Sequence, residues 1–467
     1  MADPGMSVTP YWELTFDADG DVDGGQRDRL LGGVGKRGVA DLVVFAHGWN
    51  SDRSGATGLY SRFFAPFPAL APQARLGYVG VLWPSMRFSD EPIPDFKPVP
   101  AVAPSRPTLD KNTRHGLLEV FPGRAVVVEQ LARLLEQRPD DGPALEEFGR
   151  LVRLLVEVEP QGPQGAFTAD TLTAGVPEGT PGMLCGDAVT VCTDFAAALA
   201  EVETTEVPTG AAVTPPQAWD GAHELLRQAT YFAMKRRAGT VGERGLGRLL
   251  GQLAERAPKV RVHLVGHSFG ARLVSFALRG LPEGVRTVKS VTLLQAAFSH
   301  YAFAARLPHD SRASGVLNGQ QKRIDGPLVC CHSKHDSALG TIYPLASRMA
   351  GDARTVLGLS VNSLLGAKWG ALGYSGVQAV KGTRSFRLAD ALKAQLPTAG
   401  CVNVDASAVV KRGGAPSGAH SDICHRELAR VVLAGGRVGG YRPPPAPPPP
   451  AQNGCGGGQR GGGAHPP

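Results

Sequence analysis

Along Tyr11–Phe16 (YWELTF) apolar and polar side chains alternate, and the turn sequence DADGD follows. This pattern predicts an edge strand over Trp12–Phe16. Leu42–Ala46 (LVVFA) is instead apolar throughout and rich in β-branched residues, as in strands covered on both faces of a parallel sheet. Similar short runs occupy Tyr78–Trp83 (stopped by Pro84), Val260–Gly266, Val288–Gln295, Leu328–Cys331 and Val402–Asp405. Between them the period lengthens to that of a helix. ARLVSFALRGL follows Gly270, SDICHRELARVVL closes the ordered part, and residues 221–255 read as helical with a break at Gly239–Gly245. Strands that alternate with helices predict an α/β fold, a doubly wound and mostly parallel sheet.

Two regions depart from this rhythm. Residues 85–115 are rich in proline and predict a loop. Residues 124–158 repeat Leu145, Phe148, Leu151, Leu155 and Val158 at helical spacing, and 160–218 are rich in Gly, Pro and Thr around a helix near Asp194–Leu199. We therefore divide the chain into a core over 1–84 and 219–440 and an insertion or cap over 85–218. From Tyr441 a polyproline run passes into glycine repeats, and 441–467 is expected to be a disordered tail. Its proline stretch is of the kind that an aromatic groove on a partner accepts.

Composition narrows the function. The 467 residues carry 49 Lys and Arg against 42 Asp and Glu, a formal charge of +7, and no basic block is interleaved with aromatics. Nucleic acid is not an expected partner. No apolar run approaches the ~18 residues of a membrane helix, and the N-terminus lacks the basic-then-apolar pattern of a secretory leader. Seven cysteines stand at irregular spacing without a CxxC pair. Neither a disulfide framework nor a zinc knuckle is indicated, and a cytoplasmic location is expected. Nothing in the sequence calls for a cofactor.

The strongest chemical signal is Gly266-His267-Ser268-Phe269-Gly270, a G-x-S-x-G motif between a predicted strand and a predicted helix. A serine on so tight a turn stands above the sheet edge at a helix N-terminus, and its glycine neighbours avoid collision with the flanking elements. A serine hydroxyl needs a histidine base, and that histidine a carboxylate to hold its tautomer. Asp336, in CCHSKHD, and His420, in PSGAHSDI, follow predicted strands in the order Ser, Asp, His. Asp405 and Asp325 rival Asp336, which also suits a helix cap. His425 rivals His420 but falls within the predicted closing helix. His47 reads as a loop brace. His300, His332 and His335 lack metal-ligand spacing, so no metal is expected. Cys330 and Cys331 read as buried small hydrophobes. A G-x-G-x-x-G at Gly33–Gly38 precedes a strand instead of opening a helix, so a dinucleotide or phosphate loop is rejected.

On HGWN at His47–Asn50, GHSFG at 266–270, the aspartate of SKHD and the histidine of GAHSD, the chain resembles the α/β-hydrolase superfamily. The resemblance spans roughly 8–84 and 219–435, outside the insertion and tail. It implies a serine hydrolase of the esterase or lipase kind, acting on a small acyl ester, with Ser268, His420 and Asp336 as catalytic residues. It also implies an oxyanion hole from the backbone N–H groups of Phe269 and Trp49. The long stretch 337–400 between acid and histidine departs from compact members. The alternative is a binding or interaction module on the same scaffold with an inactive site. A lid-gated lipase would need the amphipathic segment 124–158 over the site. Trp49, Phe298, Tyr301 and Trp369 are candidates for an apolar acyl pocket or for core.

Overall fold

A computed structural model describes residues 5–49, 51–86, 88, 108–139, 142–156, 169–174, 182–206, 218–342, 370–413 and 418–441. Ten strands occur among them: β1 (Tyr11–Thr15), β2 (Asp41–Ala46), β3 (Leu76–Leu82), β4 (Thr171–Thr173), β5 (Arg261–His267), β6 (Val288–Leu294), β7 (Ala313–Gly315), β8 (Pro327–His332), β9 (Arg384–Arg387) and β10 (Gly400–Asp405). Eight form one sheet in the order β1-β3-β2-β5-β6-β8-β10-β9, and every pairing in it is parallel. β4 and β7 form a separate antiparallel pair.

The continuously apolar strands are explained by the two cores that they divide. Val44 and Ala46 of β2 face one core, with Leu30, Phe269, Leu273 and Leu226, and Val43 and Phe45 face the other, with Tyr60, Phe64, Leu428 and Val432. Helices therefore cover both faces of an α/β fold. On the first face the helix Ala218–Thr240 lies over Phe269–Gly280, and the helices Ala125–Gln137 and Gly142–Leu155 contribute to the same core. Phe148 meets the Trp219 ring edge-on at 5.8 Å. Leu145, Phe148, Leu151 and Leu155 of the apolar stripe are thus core-facing, and Val158 lies outside the described residues.

Several sequence expectations are corrected. The glycines of 239–245 do not break the helix. Ala218–Thr240 passes through a π-helical turn, Val241–Leu246, into Gly247–Arg256. A Cβ on Gly242 would lie 2.2 Å from the Leu273 carbonyl, and one on Gly280 would lie 1.9 Å from the Glu243 carbonyl. These glycines serve close helix packing. The end of the expected loop 85–115 belongs to a helix, Lys111–Val120, capped by Asp110 through the Thr113 N–H at 2.7 Å, and residues 87 and 89–107 of that loop lie outside the described residues. The helix placed near 194–199 runs over Ala188–Glu206. His425 does not lie within the closing helix: it is the residue before Arg426–Gly436. Tyr441, assigned to the tail, packs against the second core, and its hydroxyl accepts from Arg430 at 3.2 Å. The rest of the tail and Trp369 lie outside the described residues. No helix among the described residues is long and apolar enough to cross a membrane.

Candidate active site

Topology selects the location. From β2 the chain moves to β3 on one side, and from β5 it moves to β6 on the other, while β2 and β5 lie side by side. Loops that leave neighbouring carboxyl ends in opposite directions open a crevice. His47-Gly48-Trp49 leaves β2 there, and Ser268 leaves β5.

Ser268 has φ 54° and ψ −119° between β5 and the helix Phe269–Gly280. A non-glycine residue in so sparse a region costs on the order of 1–3 kcal/mol, which the surroundings must offset. Those surroundings are tight. A Cβ on Gly266 would lie 2.4 Å from the Gly270 carbonyl, one on Gly270 would lie 2.0 Å from that of Ala46, and one on Gly48 would lie 2.8 Å from the Ser268 Cβ. The two motif glycines and Gly48 are what let the turn close against β2.

Three side chains meet at this turn. The Ser268 hydroxyl lies 2.9 Å from His420 Nε2, and His420 Nδ1 lies 2.8 Å from Asp336 Oδ2. Asp336 is fully buried, whereas the His420 side chain keeps 16% of its exposure. Asp336 Oδ2 also accepts from Gln295 Nε2 at 3.0 Å, and its Oδ1 accepts the Leu339 N–H at 3.0 Å. The cap reading and the site reading of Asp336 thus use different oxygens of one carboxylate. Gln295, at φ 44° just beyond β6, also donates to the Gly373 carbonyl at 3.1 Å. Sequence reasoning missed it. The only hint is its position at a strand end between two apolar runs.

The motif histidine braces this arrangement. His267 Nε2 donates to the His420 carbonyl at 2.9 Å, tying the histidine loop to the turn. Burial, with His420 nearby, lowers its pKa to about 3. His47 braces the β2 loop as expected. It stacks on Trp83 at 5.6 Å, its Nδ1 donates to the Gly48 carbonyl at 2.8 Å, and burial lowers its pKa to about 4. Among the described residues no backbone carbonyl accepts from the N–H of Phe269 or Trp49. The Trp49 ring packs on Phe269, Tyr231 and Phe88, and its buried indole N–H has no acceptor among the described residues.

The rivals lie elsewhere. Asp325 pairs with Lys289 at 2.5 Å near the amino end of β8. Asp405 accepts the Ser407 N–H at 2.9 Å, and His425 bonds Asp422 at 2.8 Å. His300 bonds Ser375 at 2.7 Å, and His332 ends β8. Phe298 is core, Tyr301 belongs to a small separate cluster, and Cys330 and Cys331 are buried in β8.

Two further clusters were not foreseen. Asp170, from the insertion, pairs with Lys235 at 2.9 Å and with Arg272, four residues after Ser268, and accepts the Ser299 N–H at 3.0 Å. Burial opposes its charge, but Lys235 and Arg272 prevail and hold its pKa at about 2. The second is another Ser–His–Asp chain: Ser290 Oγ lies 2.9 Å from His263 Nδ1, and His263 Nε2 lies 2.9 Å from Asp41 Oδ1. It is sealed within the sheet, and a Cβ on Gly436 would lie 2.4 Å from His263 Nδ1.

No protein-family model, curated protein or solved structure matches the chain.

Proposed function

We propose that the protein is a serine hydrolase of the α/β-hydrolase fold that cleaves an ester-like acyl bond through an acyl-enzyme. One observation carries the reading: the strained Ser268 hydroxyl stands 2.9 Å from an imidazole whose other nitrogen meets a buried carboxylate at 2.8 Å. With the proton of neutral His420 on Nδ1 and shared with Asp336, Nε2 is free to accept. As Ser268 Oγ attacks the acyl carbon, its proton passes to Nε2, and Asp336 stabilises the imidazolium. The N–H groups of Phe269 and Trp49 receive the developing oxyanion, and the positive end of the helix Phe269–Gly280 favours the same charge. His420 then gives its proton to the departing alkoxide. Water, deprotonated by His420 in the second half, releases the carboxylic acid and restores Ser268. Turnover of short p-nitrophenyl esters by the wild type, and its loss in Ser268→Ala, is the test. An unchanged rate in the variant overturns the reading.

A further inference from the structure

At the opposite edge of the sheet, where β5, β6 and β8 begin, lies a cleft of about 940 Å³. Its walls carry Lys259, Arg261, Arg286, Lys289 and Arg437 against a single carboxylate, Asp325. Beneath it Asp41 takes up Arg261 at 3.0 Å, and Arg261 also donates to the Gly436 carbonyl at 2.7 Å. Asp325 is occupied by Lys289 at 2.5 Å and lies 3.8 Å from Arg286. Five cations against these two carboxylates leave a surplus of three positive charges around one concavity. Lys259, Arg286 and Arg437 are exposed, and neither Lys259 nor Arg437 has a carboxylate partner among the described residues.

Such a surplus in a walled space draws anions more strongly than the same charges on a convex surface. The cleft is far larger than one tetrahedral anion needs and has the size of an ordinary small-molecule site. Among the described residues no aromatic side chain lines it, so they offer no platform on which a base stacks. Guanidinium forks and ammonium groups match phosphate oxygens. We propose that this cleft binds a small molecule carrying two or more phosphate groups. The site is separate from Ser268: β5 runs the seven residues from Arg261 to His267 between them, about 20 Å at roughly 3.3 Å per residue.

Isothermal titration of the full chain with sodium tripolyphosphate, at constant ionic strength, tests the proposal. One saturable site is expected, with weaker binding of orthophosphate. Lys259→Ala/Arg437→Ala loses about 100-fold in affinity, roughly tenfold for each charge-assisted contact, while the ligand-free melting temperature stays in place. Arg286→Ala, measured alongside, loses about tenfold by the same reasoning. The proposal is overturned by the absence of saturable heat, or by an affinity that the substitutions leave untouched. It is overturned equally if the protein ignores tripolyphosphate but binds anionic vesicles or duplex DNA through these residues.

Discussion

The two Ser–His–Asp chains contain the same residue types at nearly equal distances, 2.9 and 2.8 Å in one and 2.9 and 2.9 Å in the other. Their surroundings separate them. Ser268 sits at φ 54° beyond a strand and ahead of a helix, whereas Ser290 lies within β6. His420 turns Nε2 to its serine and Nδ1 to its aspartate, and His263 does the reverse. Asp41 is shared with Arg261 and the Gly439 N–H, and the chain is buried, with 3% of the Asp41 side chain exposed and none of His263. Burial opposes the charge of Asp41, yet the bonds from His263 and Arg261 prevail and lower its pKa, while burial lowers that of His263. Hydrogen-bond distances alone therefore do not make a nucleophile. On the proposed reading, Ser268 differs from Ser290, a cross-strand brace, in its backbone strain, in the access left by His420 and in N–H donors that no backbone carbonyl among the described residues takes up.

The serines give the sharpest contrast. Ser268→Ala is expected to lower kcat for a p-nitrophenyl ester by roughly 10⁶-fold. Ser290→Ala should leave kcat unchanged and cost about 1 kcal/mol in urea unfolding. The carboxylates come next. Asp336→Asn is expected to cost about 10⁴-fold in kcat through the wrong tautomer of His420. Asp41→Asn should spare turnover and lower stability by about 1–3 kcal/mol, because His263 and Arg261 lose their acceptor. A smaller effect is expected at Gly48→Ala, whose added methyl presses on Ser268 and displaces the β2 loop. Steady-state rates should fall by roughly 10²–10³, the usual cost of one lost oxyanion donor, with the fold retained by circular dichroism.

The histidine braces supply a pH test. His47 and His267 have folded pKa values of about 4 and about 3, against about 6.5 in an unfolded chain. Below pH 6.5 the unfolded state binds protons that the native state refuses. Stability should therefore fall as pH drops from about 6.5 towards 4, by roughly 1.4 kcal/mol per pH unit for each histidine. His267→Gln keeps a donor for the His420 carbonyl and should remove one such contribution from the slope of unfolding free energy against pH. An unaltered slope would show that His267 protonates in the native protein.

Much of the candidate site is legible in the sequence because its pattern is local. Gly266–Gly270 stands between an apolar run and a helical period, and Asp336 and His420 each follow a strand. What was not legible depends on register and on long-range partners. His263 faces Ser290 only because β5 pairs with β6 in that register, and Asp41 is brought to β5 by β2. Asp170 finds Arg272, 102 residues away, and no local pattern announces that pair. β9, RSFR, escaped notice because it is short, mostly exposed and lies at the sheet edge. The glycines of 239–245 were misread because their role is contact with another helix, which periodicity does not register.

Fluorophosphonate labelling followed by intact-mass and peptide mass spectrometry, run in parallel on the wild type, Ser268→Ala and Ser290→Ala, tests the central claim most directly. The account expects one phosphonyl adduct on the wild type and on Ser290→Ala, mapped to the peptide containing Ser268, and none on Ser268→Ala. An unmodified wild type, or equal labelling of Ser268→Ala, would contradict it.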